Sequence, residues 1–397
     1  MASRRQFLTG LGALGATTFT GCLGLGAGGA PEGQQWSVSP GQSVEQFGLD
    51  RTGVYATVSE EGGDGATVGP DGRSYALVRL DPDTGEERWR RSLETRADAL
   101  HVDGDRAYVL LGYLDDPRTD VANDGYTELL AVDGAGDQRW RRELPATRAP
   151  LVGDATGVYA IADGRVVALT HEGSTRWQTD LERPGVQMAV EGGALFVAGR
   201  RGGVDGAMAA LDAESGTVRW HRDETVETPF TPETALVANA DSVFAAADGE
   251  LVTLDRATGE TVWDTHFGDG VVTALGVTET DLSVATATDN QGQNGGGRFG
   301  TLYGISADDG VERSEFRLDE PVIDAAFRGR RAAALTHTGR VVGTELGTPP
   351  FETRYEIDLD WEETRRGRID ALGDALYVRT PAETVLKLVP PTETDEE

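Results

Sequence analysis

The chain has one cysteine, Cys22, and one lysine, Lys387, among its 397 residues. A single thiol excludes an internal disulfide and any cysteine cluster of the zinc or iron–sulfur kind. The missing lysines leave no phosphate-binding glycine loop followed by Lys, and no Gly-x-Ser-x-Gly elbow or His-Glu-x-x-His helix occurs. The five histidines, His101, His171, His221, His266 and His337, show no metal-ligand spacing. Positive charge is also scarce, with 36 basic against 67 acidic residues and a formal net charge of −31. No cationic stripe is available to neutralise phosphates, so nucleic acid is not expected as a partner.

The acid that is present is spread among apolar alternations along the whole chain, and only Thr392 to Glu397 forms an acidic run. That pattern belongs to a folded surface and not to a disordered polyanion. Such a surface repels itself in dilute buffer, whereas in molar salt the screening length falls to about 3 Å. The composition therefore resembles that of haloarchaeal proteins. The first residues read as an address. Ser3-Arg4-Arg5-Gln6-Phe7-Leu8 resembles a twin-arginine export signal, followed by an uncharged stretch to Phe19 that is too short and too weakly apolar to span a bilayer. Phe19-Thr20-Gly21-Cys22 resembles a lipobox, with Phe19 in the place of the usual aliphatic residue. We expect a signal over 1–21 with Arg4 and Arg5 as its export residues, a Gly-rich tether over 22–35 lipidated at Cys22, a folded body over 36–390 and an acidic tail over 391–397.

The body is a repeat. Leu80-Asp81-Pro82-Asp83-Thr84-Gly85-Glu86-Glu87-Arg88-Trp89 recurs from Leu211 to Trp220 and from Leu254 to Trp263, and variants end at Trp140 and Trp177. Gly310 sets the same register for Ser314; Tyr355 and Trp36 complete the series. An Asp-x-x-Thr/Ser-Gly segment between β-rich runs reads as a hairpin turn, because Asp bonds its own backbone and Gly accepts positive φ. The aromatic then lies on the returning strand, where it can pack on the next repeat. Two further strands precede each motif, giving four per unit. Successive aromatic positions lie 37 residues (Trp140 to Trp177) to 53 residues (Trp36 to Trp89) apart, a period that suits propeller blades of about 40–45 residues. The long spacings trace to insertions at 59–73, 112–126 and 286–300, with a smaller one at 199–206, each between second and third strands. After Tyr355 three strands remain without a fourth, and Trp36 supplies a fourth without its three. The expected fold is all-β: an eight-bladed β-propeller of four-stranded antiparallel blades closed by the N- and C-terminal strands. Seven blades is the alternative, because the Ser314 and Tyr355 copies are degenerate.

The Asp-x-x-Thr-Gly-x-x-x-Trp repeat resembles the PQQ-like repeat of quinoprotein-type propellers, and the plan is similar to the propeller lipoprotein of the bacterial outer-membrane β-barrel assembly machinery. The resemblance covers Trp36 to about Val389. It implies that Trp36, Trp89, Trp140, Trp177, Trp220, Trp263 and Tyr355 dock neighbouring blades. It makes pyrroloquinoline quinone a conceivable cofactor, but the adjacent cysteines of quinoprotein dehydrogenases are missing, and no cofactor is expected. Asp115, Asp116, Asp120 and Asp124 crowd one insertion without the spacing of a calcium loop and are weak candidates for a cation. No catalytic constellation stands out, so an enzyme is not favoured. The leading expectation is a protein-interaction or assembly scaffold, lipid-anchored on the extracellular side of the membrane after twin-arginine export. Its alternatives are a quinone-dependent redox enzyme and a carbohydrate- or peptide-binding protein. The insertions all leave from one face, where Tyr113, Tyr126 and Phe299 are candidate anchors for a partner.

Overall fold

A computed structural model of the chain describes residues 31–391, apart from 62–70, 114–125, 146–149, 163, 182–184, 202–204, 224–234, 248, 290–297, 348–351, 360, 362–366 and 382–383. The described residues form eight four-stranded antiparallel sheets and no helix. Seven sheets are consecutive in the chain. Blade 1 consists of Ser43–Asp50, Gly53–Glu61, Arg73–Leu80 and Glu87–Leu93, and blades 2 to 7 repeat that order up to Thr353–Asp358. Blade 8 takes Arg368–Leu372, Ala375–Arg379 and Val385–Leu388 from the C-terminal end and Gln34–Val38 from the N-terminal end. The joint is an antiparallel pairing that sets Trp36 opposite Lys387 and Val38 opposite Val385. The first strands of successive blades lie side by side around the ring, and those of blades 8 and 1 also meet. The fold is an eight-bladed β-propeller, which removes the seven-bladed alternative and leaves no open sheet at the seam.

Strand position explains residue choice. Second strands lie between neighbouring blades and are buried on both faces, as in Gly53–Glu61, where the first seven residues are all buried. Fourth strands form the outer rim. Glu87–Leu93 exposes Glu87, Arg88, Arg90 and Ser92 and buries only Leu93 fully. The turn between third and fourth strands is built as the motif requires. Asp81 Oδ1 accepts the backbone N–H of Asp83 (2.9 Å) and Thr84 (2.8 Å), and Gly85, at φ 74°, returns its N–H to the Asp81 carbonyl at 2.9 Å. The same bonds recur around Asp212 and Asp255.

The glycine has a second duty. A Cβ on Gly85 would fall 2.7 Å from the Trp36 ring, and one on Gly216 would fall 2.4 Å from Trp177. Each indole lies flat on the turn of the next blade and donates its Nε1–H to a carbonyl there. Trp36 bonds Pro82 (3.2 Å), Trp89 Gly134 (2.8 Å), Trp140 His171 (2.7 Å), Trp177 Ala213 (3.0 Å), Trp220 Arg256 (2.9 Å) and Trp263 Ala307 (3.1 Å). Six of the eight seams between blades are closed this way, each joining apolar contact to a satisfied polar edge.

Strand registers show a second aromatic in each of those blades. The residue two across from the tryptophan is Tyr55, Tyr108, Tyr159, Phe196, Phe244 or Tyr377, all fully or almost fully buried. Their ring centroids lie 5.8–6.3 Å from the indole of the same blade. Blade 6 has Ser283, Gly304 and Ser314 in this row, and blade 7 has Ala333, Gly343 and Tyr355. At the seam of blades 6 and 7, Leu346 from the following turn reaches toward Gly304 in place of an indole. Tyr355 lies over Gly343 of its own blade and faces a closing blade whose third and fourth strands are the two ends of the chain. It therefore has no turn glycine to cover.

Candidate functional site

In each blade the first-to-second and third-to-fourth turns emerge on one side of the ring, here the turn face. The second-to-third connections and the links between blades emerge on the other, the link face. The four long connections follow Gly53–Glu61, Arg106–Tyr113, Ala194–Arg201 and Asp281–Asp289, each a second strand. All four therefore leave from the link face. They are shorter than the sequence implied, because the strands continue into them: Tyr113 pairs with Tyr126, and Asp289 with Arg298. The ends of 112–126 and 286–300, read from the repeat as lying between strands, therefore belong to the blade strands themselves. Consecutive ladder bonds propagate past the point where the apolar alternation fades.

Tyr113 and Tyr126 are end residues of their strands at the link face. Phe299 lies in the ladder opposite Thr288, half-buried, with the Arg317 guanidinium 3.7 Å from its ring centroid. That face of the ring is already covered by a cation–π contact. Arg4, Arg5, Cys22, Asp115, Asp116, Asp120 and Asp124 lie outside the described residues. Among the described residues no group of three or more His, Cys, Asp and Glu side chains is placed to hold a metal. With one cysteine in the chain, the residues do not fit a quinone site of the dehydrogenase kind.

Trp361 was missed by the repeat analysis. It follows the last strand of blade 7 and repeats the indole-on-glycine contact at the link face of the same blade. A Cβ on Gly339 would lie 2.7 Å from its ring, and its Nε1–H reaches the His337 carbonyl at 3.2 Å. The signal was present: Thr336-His337-Thr338-Gly339 repeats Thr170-His171-Glu172-Gly173, the segment under Trp140. His171 and His337 occupy opposite faces. His101 and His171, however, come together on either side of Tyr108, whose Oη is 2.6 Å from His171 Nδ1. Burial holds the His101 imidazole below its ordinary pKa, and the group is part of the seam between blades 2 and 3.

The inner edges carry two carboxylates of unusual character. Asp324, on the first strand of blade 7, accepts the Ile369 N–H of blade 8 at 3.0 Å and the Ala325 N–H at 3.0 Å. Burial pushes its pKa up to about 6 despite these bonds and nearby Arg368. Asp370 touches solvent, but the surrounding strand edges displace much of its water and raise it too. Asp324 thus ties two blades together beside the channel.

Comparison with known proteins gives the same architecture. The crystal structure of BamB from Moraxella catarrhalis superimposes with a TM-score of 0.60 at 17% identity, over 92% of this chain and 98% of that one. The computationally designed protein Ika8 gives 0.62 at 13% identity, over 90% and 98%. At these identities the likeness establishes the fold alone. No curated protein sequence matches the chain. The sequence model of the family described as outer membrane protein assembly factor BamB, built on PQQ repeats, matches residues 32–158, 73–222, 125–273 and 205–348, and the chain belongs to that family.

Proposed function

We propose that this protein is an interaction scaffold with a role in assembly, held on the outer side of the cell membrane by a lipid on Cys22. The observation that carries the reading is the direction of the chain. The N-terminal strand Gln34–Val38 is the fourth strand of blade 8 and enters from the turn face, whereas the four long connections leave from the link face. The part of the expected tether that precedes the described residues, 22–30, spans at most about 30 Å. An anchor at Cys22 would therefore hold the turn face toward the bilayer and direct the link face outward, toward partners. A closed ring with six indole-docked seams supplies the rigid platform such a role needs, and the family's description as an assembly factor supports it.

Replacing 114–125 and 290–297 by two-residue turns should leave the melting temperature unchanged and abolish stoichiometric partner capture from detergent-solubilised membranes in native salt. Undiminished capture by the doubly shortened protein would move the functional surface elsewhere. Delivery is tested separately. Arg4→Lys with Arg5→Lys should stop export, and Cys22→Ser should release the protein or leave its signal uncut.

A further inference from the structure

The seam between blades 7 and 8 holds an open cavity of about 300 Å³ on the turn face. Two local departures from the repeat create it. Ala333 stands where six blades place a buried Tyr or Phe, and the closing blade has chain ends, with Pro390 and Pro391 on the cavity wall, where other blades have a third-to-fourth turn. At six of the other seams an indole lies in the corresponding space. Here the floor is alanine and the one aromatic is Tyr355.

The rim is cationic in a chain whose net charge is −31. Arg328 is paired with Asp374 at 3.1 Å and Arg354 with Glu345 at 2.6 Å. Arg331 is exposed and lines the cavity, and among the described residues it forms no ion pair with a carboxylate; its charge acts on the neighbouring Tyr355 hydroxyl. That hydroxyl has no hydrogen bond among the described residues; burial raises its pKa to about 12, so it remains a neutral donor. An apolar recess sized for an aromatic ring, with an unpaired guanidinium and a phenol at its mouth, complements a ring beside a carboxylate.

We propose that this seam cavity is a docking site for a partner protein's peptide segment bearing an aromatic side chain next to Asp or Glu, the incoming ring taking the place of the absent indole. The chain's own acidic segment, Thr392 to Glu397, follows Pro391 in the sequence and carries the charge, but it has no aromatic residue to cover the alanine floor. The site does not depend on the anchor or on the link face.

The test uses the full-length protein and the blocked tetrapeptide Gly-Asp-Trp-Gly, followed by ligand-observed NMR titration. Saturable binding with a Kd of about 1 mM or tighter is expected. Ala333→Tyr restores the aromatic row and should lose the probe at least about tenfold while melting no lower than the parent. Should that variant not fold, Arg331→Gln at an exposed position serves instead: it should weaken Gly-Asp-Trp-Gly about tenfold and leave Gly-Asn-Trp-Gly unchanged. Equal binding by parent and both variants would overturn the site. Displacement of the probe by the peptide Thr-Glu-Thr-Asp-Glu-Glu at lower concentration would overturn the choice of occupant in favour of the tail, and tighter binding of free indole-3-propionate would overturn the peptide class.

Discussion

Six seams of this ring are closed by a tryptophan lying on a glycine, and two are not. The docked seams run from blade 8 through blade 1 to blade 6, where each indole joins burial, ring contact and a hydrogen bond to the next blade. On either side of blade 7 the same position holds Ser314 or Tyr355. Those seams rely on other contacts: Leu346 over Gly304 at one, and Arg328 with Asp374 and Asp324 with the Ile369 N–H at the other. Uniform docking is therefore not required for closure. The ring can leave a cavity at one seam because the other contacts and the shared blade hold it shut.

The contrast breaks most visibly at the indoles. Trp177 is buried and bonded to Ala213, so Trp177→Ala should cost about 3–5 kcal/mol in chemical denaturation. Tyr355→Ala, at a position with no turn to cover, should cost clearly less. Equal losses would mean that the docked and undocked seams are energetically alike. Glycine tests the same contact from the other side. In Gly216→Ala the new methyl enters the Trp177 ring at φ +73°, and about 2–5 kcal/mol should be lost from crowding and left-handed backbone together. Gly104→Ala isolates the backbone part, since φ is +59° and nothing lies within 4 Å, and about 1–2 kcal/mol is expected.

A smaller effect should appear with pH at the seam of blades 7 and 8. Asp324 has a folded pKa near 6, above its unfolded value. Between about pH 4 and 6 the folded chain keeps a proton that the unfolded chain has released. Its contribution is therefore present at low pH and lost as pH rises through that window. The melting temperature of Asp324→Asn relative to wild type should rise from pH 4 to pH 7.5, and a constant difference would remove the effect. Salt should separate the seams least of all. Screening acts on the whole charge of −31, so wild type, Trp177→Ala and Ala333→Tyr should gain melting temperature in parallel from dilute to molar salt.

What could be read in advance was what short segments encode. Asp81 to Gly85 specifies its turn through bonds spanning three or four residues, so the well-kept copies announce themselves, while the degenerate copies at Ser314 and Tyr355 left the count between eight and seven. The second-strand aromatics escaped notice because Tyr55 and Trp89 become neighbours only across two ladders. Trp361 escaped because it breaks the repeat's order while keeping its contact. His101 and His171, seventy positions apart, meet only because blades 2 and 3 stack.

The amino-acid sequence by itself determined the order of strands, the turns and the split closing blade, and it favoured eight blades over seven, since each follows from local backbone preference repeated at a readable period; the eight sheets settled the count. Tertiary structure decided which residue covers which glycine, where strands run on into the long connections, and that the place left by Ala333 coincides with the chain ends at one seam. Those outcomes depend on stacking between sheets. Surfaces distant in the chain are there pressed together by burial, and no periodicity records which of them will be left unfilled.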